Sequence, residues 1–125
     1  MTMPHERTRA IGWGKDMLAS IQKDDSIPAA LRARVREIDL DYPSAIALRD
    51  WLAVGKSGFP HDWAASIRGA YQLFLDVQRP VVGCEATQRE LTATLRHFPD
   101  PWTVDFMAAG HEPIAHWLLP ADRYR

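Results

Sequence analysis

Side chains able to do chemistry are sparse in this chain: five histidines, one cysteine and a scatter of carboxylates. The densest group is His111-Glu112-Pro113-Ile114-Ala115-His116. Two histidines and a glutamate are the components of a zinc-protease helix, where imidazoles four residues apart face one metal and the carboxylate acts as general base. Here the separation is five, so on a helix the two rings diverge by about 140°. Pro113 also interrupts the segment, which reads as a polar C-terminal turn. Gly55-Lys56-Ser57 resembles the end of a phosphate-binding loop, but Asp50 stands where the motif requires its first glycine, and a helix–helix loop is the better reading. Cys84 could meet His97 or His111 in space as a nucleophile and base. The alternative is a small buried thiol, with His97 a helix C-terminal residue favoured by the dipole. Asp39 and Asp41 point to different sides of a helix end, and Asp24-Asp25 reads as a solvated loop. These readings assign no catalytic, cofactor-binding or metal-ligating residue and call for no cofactor.

Two constellations could bind rather than react. Arg7, Arg9 and Lys15, with Arg32, Arg34 and Arg36, make the first third of the chain basic. If the first two helices pack antiparallel, these arginines form a cationic face for phosphate, nucleic acid or an acidic protein. The alternative is a solvated face with intrahelical pairs. The second constellation is aromatic: Trp102, Phe106, Trp117 and Tyr124 crowd a C-terminal region too short to bury them unaided. Either the tail at 111–125 wraps over the core, or it packs against another subunit, where Trp and Tyr are favoured anchors.

The elements that must position these residues are helical. Apolar residues recur at helical spacing in five stretches: Ile11, Met17, Leu18 and Ile21; Leu31, Val35, Ile38 and Tyr42; Leu48, Trp51 and Leu52; Trp63, Ile67, Ala70, Phe74 and Val77; Leu91, Leu95 and Phe98. The expected helices run from about 3 to 22, from Pro28 to Tyr42, over 45–54, over 63–78 behind an Asp62 cap, and from a Thr87/Glu90 capping box to Phe98. A sixth helix carries Trp102, Phe106 and Met107 behind an Asp100 cap and Pro101, and ends near Gly110; one further turn follows around 114–118. The first helix is weak, because Gly12 and Gly14 each cost roughly 1 kcal/mol against alanine. Tyr42-Pro43-Ser44, Phe59-Pro60 with Asp62, and Phe98-Pro99-Asp100 put an aromatic ring, a proline and a capping side chain at helix junctions. The pattern implies sharp reversals sealed by the ring. The expected architecture is an all-α, single-domain, compact bundle of about five to six helices joined by aromatic-proline corners.

Composition bounds the function. The 125 residues are 46% hydrophobic and 25% charged, an ordinary globular balance for one domain. A net charge of −1 supplies no overall field toward nucleic acid or an anionic membrane. No stretch approaches the ~20 apolar residues of a membrane helix. The start has no signal-peptide run, and one cysteine makes no internal disulfide, so a cytoplasmic protein is expected. Met3-Pro4-His5-Glu6-Arg7-Thr8-Arg9-Ala10, then Ile27-Pro28, the arginine-rich helix and Tyr42-Pro43-Ser44 resemble a family of small uncharacterised proteins of β- and γ-proteobacteria. The likeness covers about residues 1–50, implies a bacterial helical protein and implies no activity. The residues themselves point to a non-enzymatic protein acting through protein contacts or self-association, with a homodimer as the simplest form. A regulator binding nucleic acid through the arginine helix and an enzyme with a Cys/His site are the alternatives.

Overall fold

All regular backbone among the described residues is helical. The computed structural model describes residues 2–54 and 58–120. Six helices, α1 (Pro4–Lys23), α2 (Ala29–Asp41), α3 (Ala45–Val54), α4 (His61–Gln78), α5 (Glu85–Leu95) and α6 (Pro101–Ala109), precede a short 3-10 turn at Ile114–His116. The all-α bundle expected from the apolar spacing is therefore the fold. The longest apolar stripe makes α4 central: Ile67, Ala70, Leu73, Phe74 and Val77 are wholly buried. α4 packs on α2, α5 and α6, while α1 packs on α2 and α5 and carries α3 along its outer side. Among the described residues no helix is long and apolar enough to cross a membrane.

The glycines of α1 have a packing reason. A Cβ on Gly14 would strike Tyr42 Oη and lie 2.9 Å from Phe98 Cε1. Tyr42 thus comes down directly on the α1 backbone and donates its hydroxyl to the Ile11 carbonyl at 2.5 Å. Burial holds that phenol well above its ordinary pKa, so it remains a neutral donor. A helix weak by propensity is completed by two aromatic rings from distant corners.

Each corner is sealed by its ring. Phe59 lies edge-on to Trp51 and Trp63, at 5.5 and 5.6 Å between centroids. Phe98 meets Phe74 edge-on at 5.3 Å. Capping follows the sequence at two of them: Ser44 Oγ accepts from Ala47 N at 3.0 Å, and Asp100 accepts from Thr103 N at 2.8 Å with Pro101 in the first turn. Gly110, at φ 71°, ends α6 in the left-handed region that favours glycine.

Other boundaries differ from expectation. Asp62 does not cap α4; Pro60 precedes the helix, and Asp62 lies inside the first turn where it favours the positive helix end. Pro28 likewise stands just before α2 instead of within it. The Thr87/Glu90 box is also absent. α5 starts at Glu85 behind Cys84, and Thr87 turns inward. Its hydroxyl donates to Asp24 Oδ2 at 2.6 Å, and Cys84 N donates to the same oxygen at 2.9 Å. Asp24 Oδ1 accepts from Ser26, from the hydroxyl at 2.5 Å and from the backbone at 2.9 Å. These donors, Ser26 first, hold the Asp24 carboxyl well below the ordinary carboxylate range. The loop expected to be merely solvated is tied to the start of α5. α5 stops at Leu95, so Phe98 packs inward from a loop and not from the helix.

Candidate functional site

α6 is apolar on two sides. Val104 and Met107 turn into the core, which leaves Trp102 and Phe106, one helical turn apart, facing out at 75% and 51% exposure. Their rings lie 6.4 Å apart, tilted. The chain after Gly110 turns back and lays Trp117 flat on Phe106, with centroids at 5.9 Å and planes 4° apart. His116 stands edge-on to Trp117 at 4.5 Å and pairs with Glu112 at 3.0 Å. Arg7 of α1 completes the row: its guanidinium lies 5.9 Å from the Trp117 ring centre, and Nη1 donates to the Trp117 carbonyl at 2.7 Å. Burial pushes the Arg7 pKa below its ordinary value and the charge of Asp100 opposes that shift; as a guanidinium it remains the cation. The result is a ladder of Trp102, Phe106, Trp117 and Arg7, open along its outer edge.

Of the four aromatics singled out by sequence, the fold brings three together; Tyr124 lies outside the described residues. The tail wraps back as far as Leu118, which is buried. Arg7 was grouped by sequence with the cationic residues, and its aromatic role was missed. The signal was weak, because a contact spanning 110 positions leaves no local pattern. The outward pair on α6 was legible only as part of the aromatic series, because Val104 and Met107 are identified as its inner face by their burial in the fold.

The five arginines of the cationic group are placed differently from one another. Arg9 lies over the Trp13 ring at 5.2 Å. Arg32 Nε donates to the Ile27 carbonyl at 3.0 Å, at the start of its own helix. Arg34 pairs with Asp76 of α4 at 2.7 Å, which, with Gln72, holds the Asp76 carboxyl below its ordinary range. Arg36 is exposed. Arg7, Arg9, Arg32 and Arg34 therefore serve contacts within the chain.

The nucleophile candidates separate. Cys84 is exposed, not buried, because it occupies the position before α5; its sulfur lies 3.3 Å from Thr87 Oγ1. His97 instead joins Glu6 and Thr2: Nε2 is 3.2 Å from Glu6 Oε2 and Nδ1 is 3.2 Å from Thr2 Oγ1. Hydroxyl, imidazole and carboxylate in line form the skeleton of a nucleophile relay, which also requires a substrate cleft and donors for an oxyanion. The group joins the start of α1 to the segment after α5, and the two cavities at Trp13 are lined by other residues. Backbone donation from Met3 N to Glu6 Oε1 at 2.8 Å, the largest influence, keeps the Glu6 carboxyl below its ordinary value, with His97 adding to it. Among the described residues no three or more His, Cys, Asp or Glu side chains gather as a metal-binding group. Gly55-Lys56-Ser57 lies outside the described residues.

No family model, no curated protein and no solved structure matches the chain.

Proposed function

We propose that the protein acts through protein–protein contact, with the Trp102/Phe106/Trp117/Arg7 ladder as its interface and a second copy of itself as the partner. One observation carries the reading: a tryptophan and a phenylalanine face solvent, prearranged by a stacked third ring, although α6 has no core use for them. Aromatic and arginine side chains are the groups that anchor interfaces, the rings because they offer large contact area with few rotatable bonds and the guanidinium because it stacks and donates hydrogen bonds in a fixed plane. Rings already stacked lose less freedom on docking.

A second copy fits the rim. Arg68 pairs with Asp105 at 3.0 Å and Glu112 with His116 at 3.0 Å, so both signs flank the ladder. Two such surfaces would meet across a two-fold axis without unpaired like charges opposing each other, since each charge already has a partner in its own chain. The net charge of −1 adds almost no repulsion between copies. Three rings per copy are fewer than the roughly 20–30 residues a side of a standard interface, so association is expected in the micromolar range.

Sedimentation velocity from low to high micromolar concentration tests this. The expected result is a monomer–dimer shift that Phe106→Asp weakens by at least about 30-fold, as for an interface anchor. Dimerisation unaffected by Phe106→Asp, or a monomer at every concentration, overturns the reading.

A further inference from the structure

Of the two cavities at Trp13, the one between α1 and α5 has a lining whose chemistry the fold does not use. Trp13 and Asp16 stand one turn apart on α1, and Glu90 and Thr94 do the same on α5 with Ala93 beside them; together they line a cleft of about 240 Å³. Arg9, over the Trp13 ring, lines the other cavity, toward α3, and not this one.

Three polar groups of this lining are unmet. Among the described residues neither the Asp16 nor the Glu90 carboxylate has an ion pair or a hydrogen bond. Their basic neighbours in the sequence are engaged elsewhere, Lys15 with Asp39 at 2.8 Å and Arg89 with Glu85 at 3.3 Å. Glu90 is half-buried, and without the expected capping box its carboxylate has no role in starting α5. Thr94 is the sharper case. Its side chain is 1% exposed, and its hydroxyl has no hydrogen-bond partner among the described residues, although Thr92 on the same helix donates to the carbonyl four residues back. A buried polar group left unmet costs about 1–3 kcal/mol, so a hydroxyl that lines a cleft calls for a partner from within it.

Two carboxylates, a hydroxyl oxygen and an indole ring are the groups that recognise an organic ammonium: they supply opposite charge, acceptors for its N–H and a π surface. A bare divalent metal takes about six or more oxygens and has no use for the indole. We infer that the α1–α5 cleft binds a small aliphatic diamine, one ammonium to each carboxylate, with Thr94 Oγ1 accepting from an N–H and the carbon chain along Trp13 and Ala93. The two negative charges match that dication, and a volume below the roughly 300 Å³ at which drug-sized sites begin keeps the ligand small. None of these residues belongs to the aromatic ladder, so the site does not rest on self-association.

Titration of 1,4-diaminobutane into the full chain at fixed ionic strength, followed by the indole N–H signals in a nitrogen–proton correlation spectrum, tests this; Trp13→Phe assigns the signal. The Trp13 signal is expected to move and saturate while those of Trp51 and Trp63 stay fixed. Glu90→Gln and Asp16→Asn each weaken the affinity at least about tenfold, and Thr94→Val about threefold. Tetramethylammonium, which has no N–H, and magnesium each bind at least about tenfold more weakly than the diamine. Should Thr94→Val fail to fold, the two carboxylate variants carry the test. A Trp13 signal that stays fixed or never saturates overturns the proposal, as does undiminished affinity in either carboxylate variant or an equal response to tetramethylammonium or magnesium.

Discussion

At the scale of single residues, two positions have energetics opposite to what their residue types suggest. Trp117 buries its indole Nε1 with no acceptor among the described residues, while its ring is held by Phe106, His116 and Arg7. An unmet buried donor costs about 1–3 kcal/mol, of the same order as the area lost on shrinking the ring. Trp117→Phe is therefore expected to leave stability unchanged or raise it by up to about 1 kcal/mol, measured by urea unfolding of dilute protein. A large loss would mean that the indole N–H has a partner. Gly14 runs the other way. Propensity alone says that Gly14→Ala gains about 1 kcal/mol, but the added methyl would strike the Tyr42 hydroxyl. The expected net effect is a loss of about 1–3 kcal/mol, from overpacking. Removing the hydroxyl with Tyr42→Phe should recover part of that loss, so a double-mutant cycle gives a coupling of favourable sign. Strict additivity would contradict the contact.

At the scale of elements, the connections divide into those written locally and those written across the chain. The start of α3 and the start and end of α6 were legible because Ser44, Asp100, Pro101 and Gly110 act within a turn of where they stand. The start of α5 was not, because it is satisfied from 60 residues away by Asp24, and no local rule relates an Asp-Asp-Ser loop to a helix that distant. Thr87 was read as a cap for the same reason: its hydroxyl has a partner, but the partner lies on another element. This tie has a pH signature. The Asp24 pKa is depressed on folding, so its stabilising effect is complete above the unfolded carboxyl value of about 3.9 and is lost as pH falls below it. Asp24→Asn removes that titration. Its stability is expected to be lower than wild type at neutral pH and to fall less steeply below pH about 4, as followed by urea midpoints across the acid range. Parallel acid limbs for the two proteins would contradict the assignment.

At the scale of the whole molecule, a core around α4 accommodates Phe59, Phe74 and Phe98, while Trp102 and Phe106 remain outside it. The aromatic surplus near the C-terminus was visible in the sequence, but the outward face of α6, the stacking of Trp117 and the approach of Arg7 required the fold. Self-association through that ladder is the central claim. The five tryptophans make it directly observable, since each contributes one indole N–H resonance. In a nitrogen–proton correlation spectrum recorded over a dilution series, the Trp102 and Trp117 indole signals are expected to move together with concentration. Those of Trp51 and Trp63, packed around Phe59, should stay fixed. Five indole signals that hold their positions throughout the series, or movement confined to Trp13, would contradict the account.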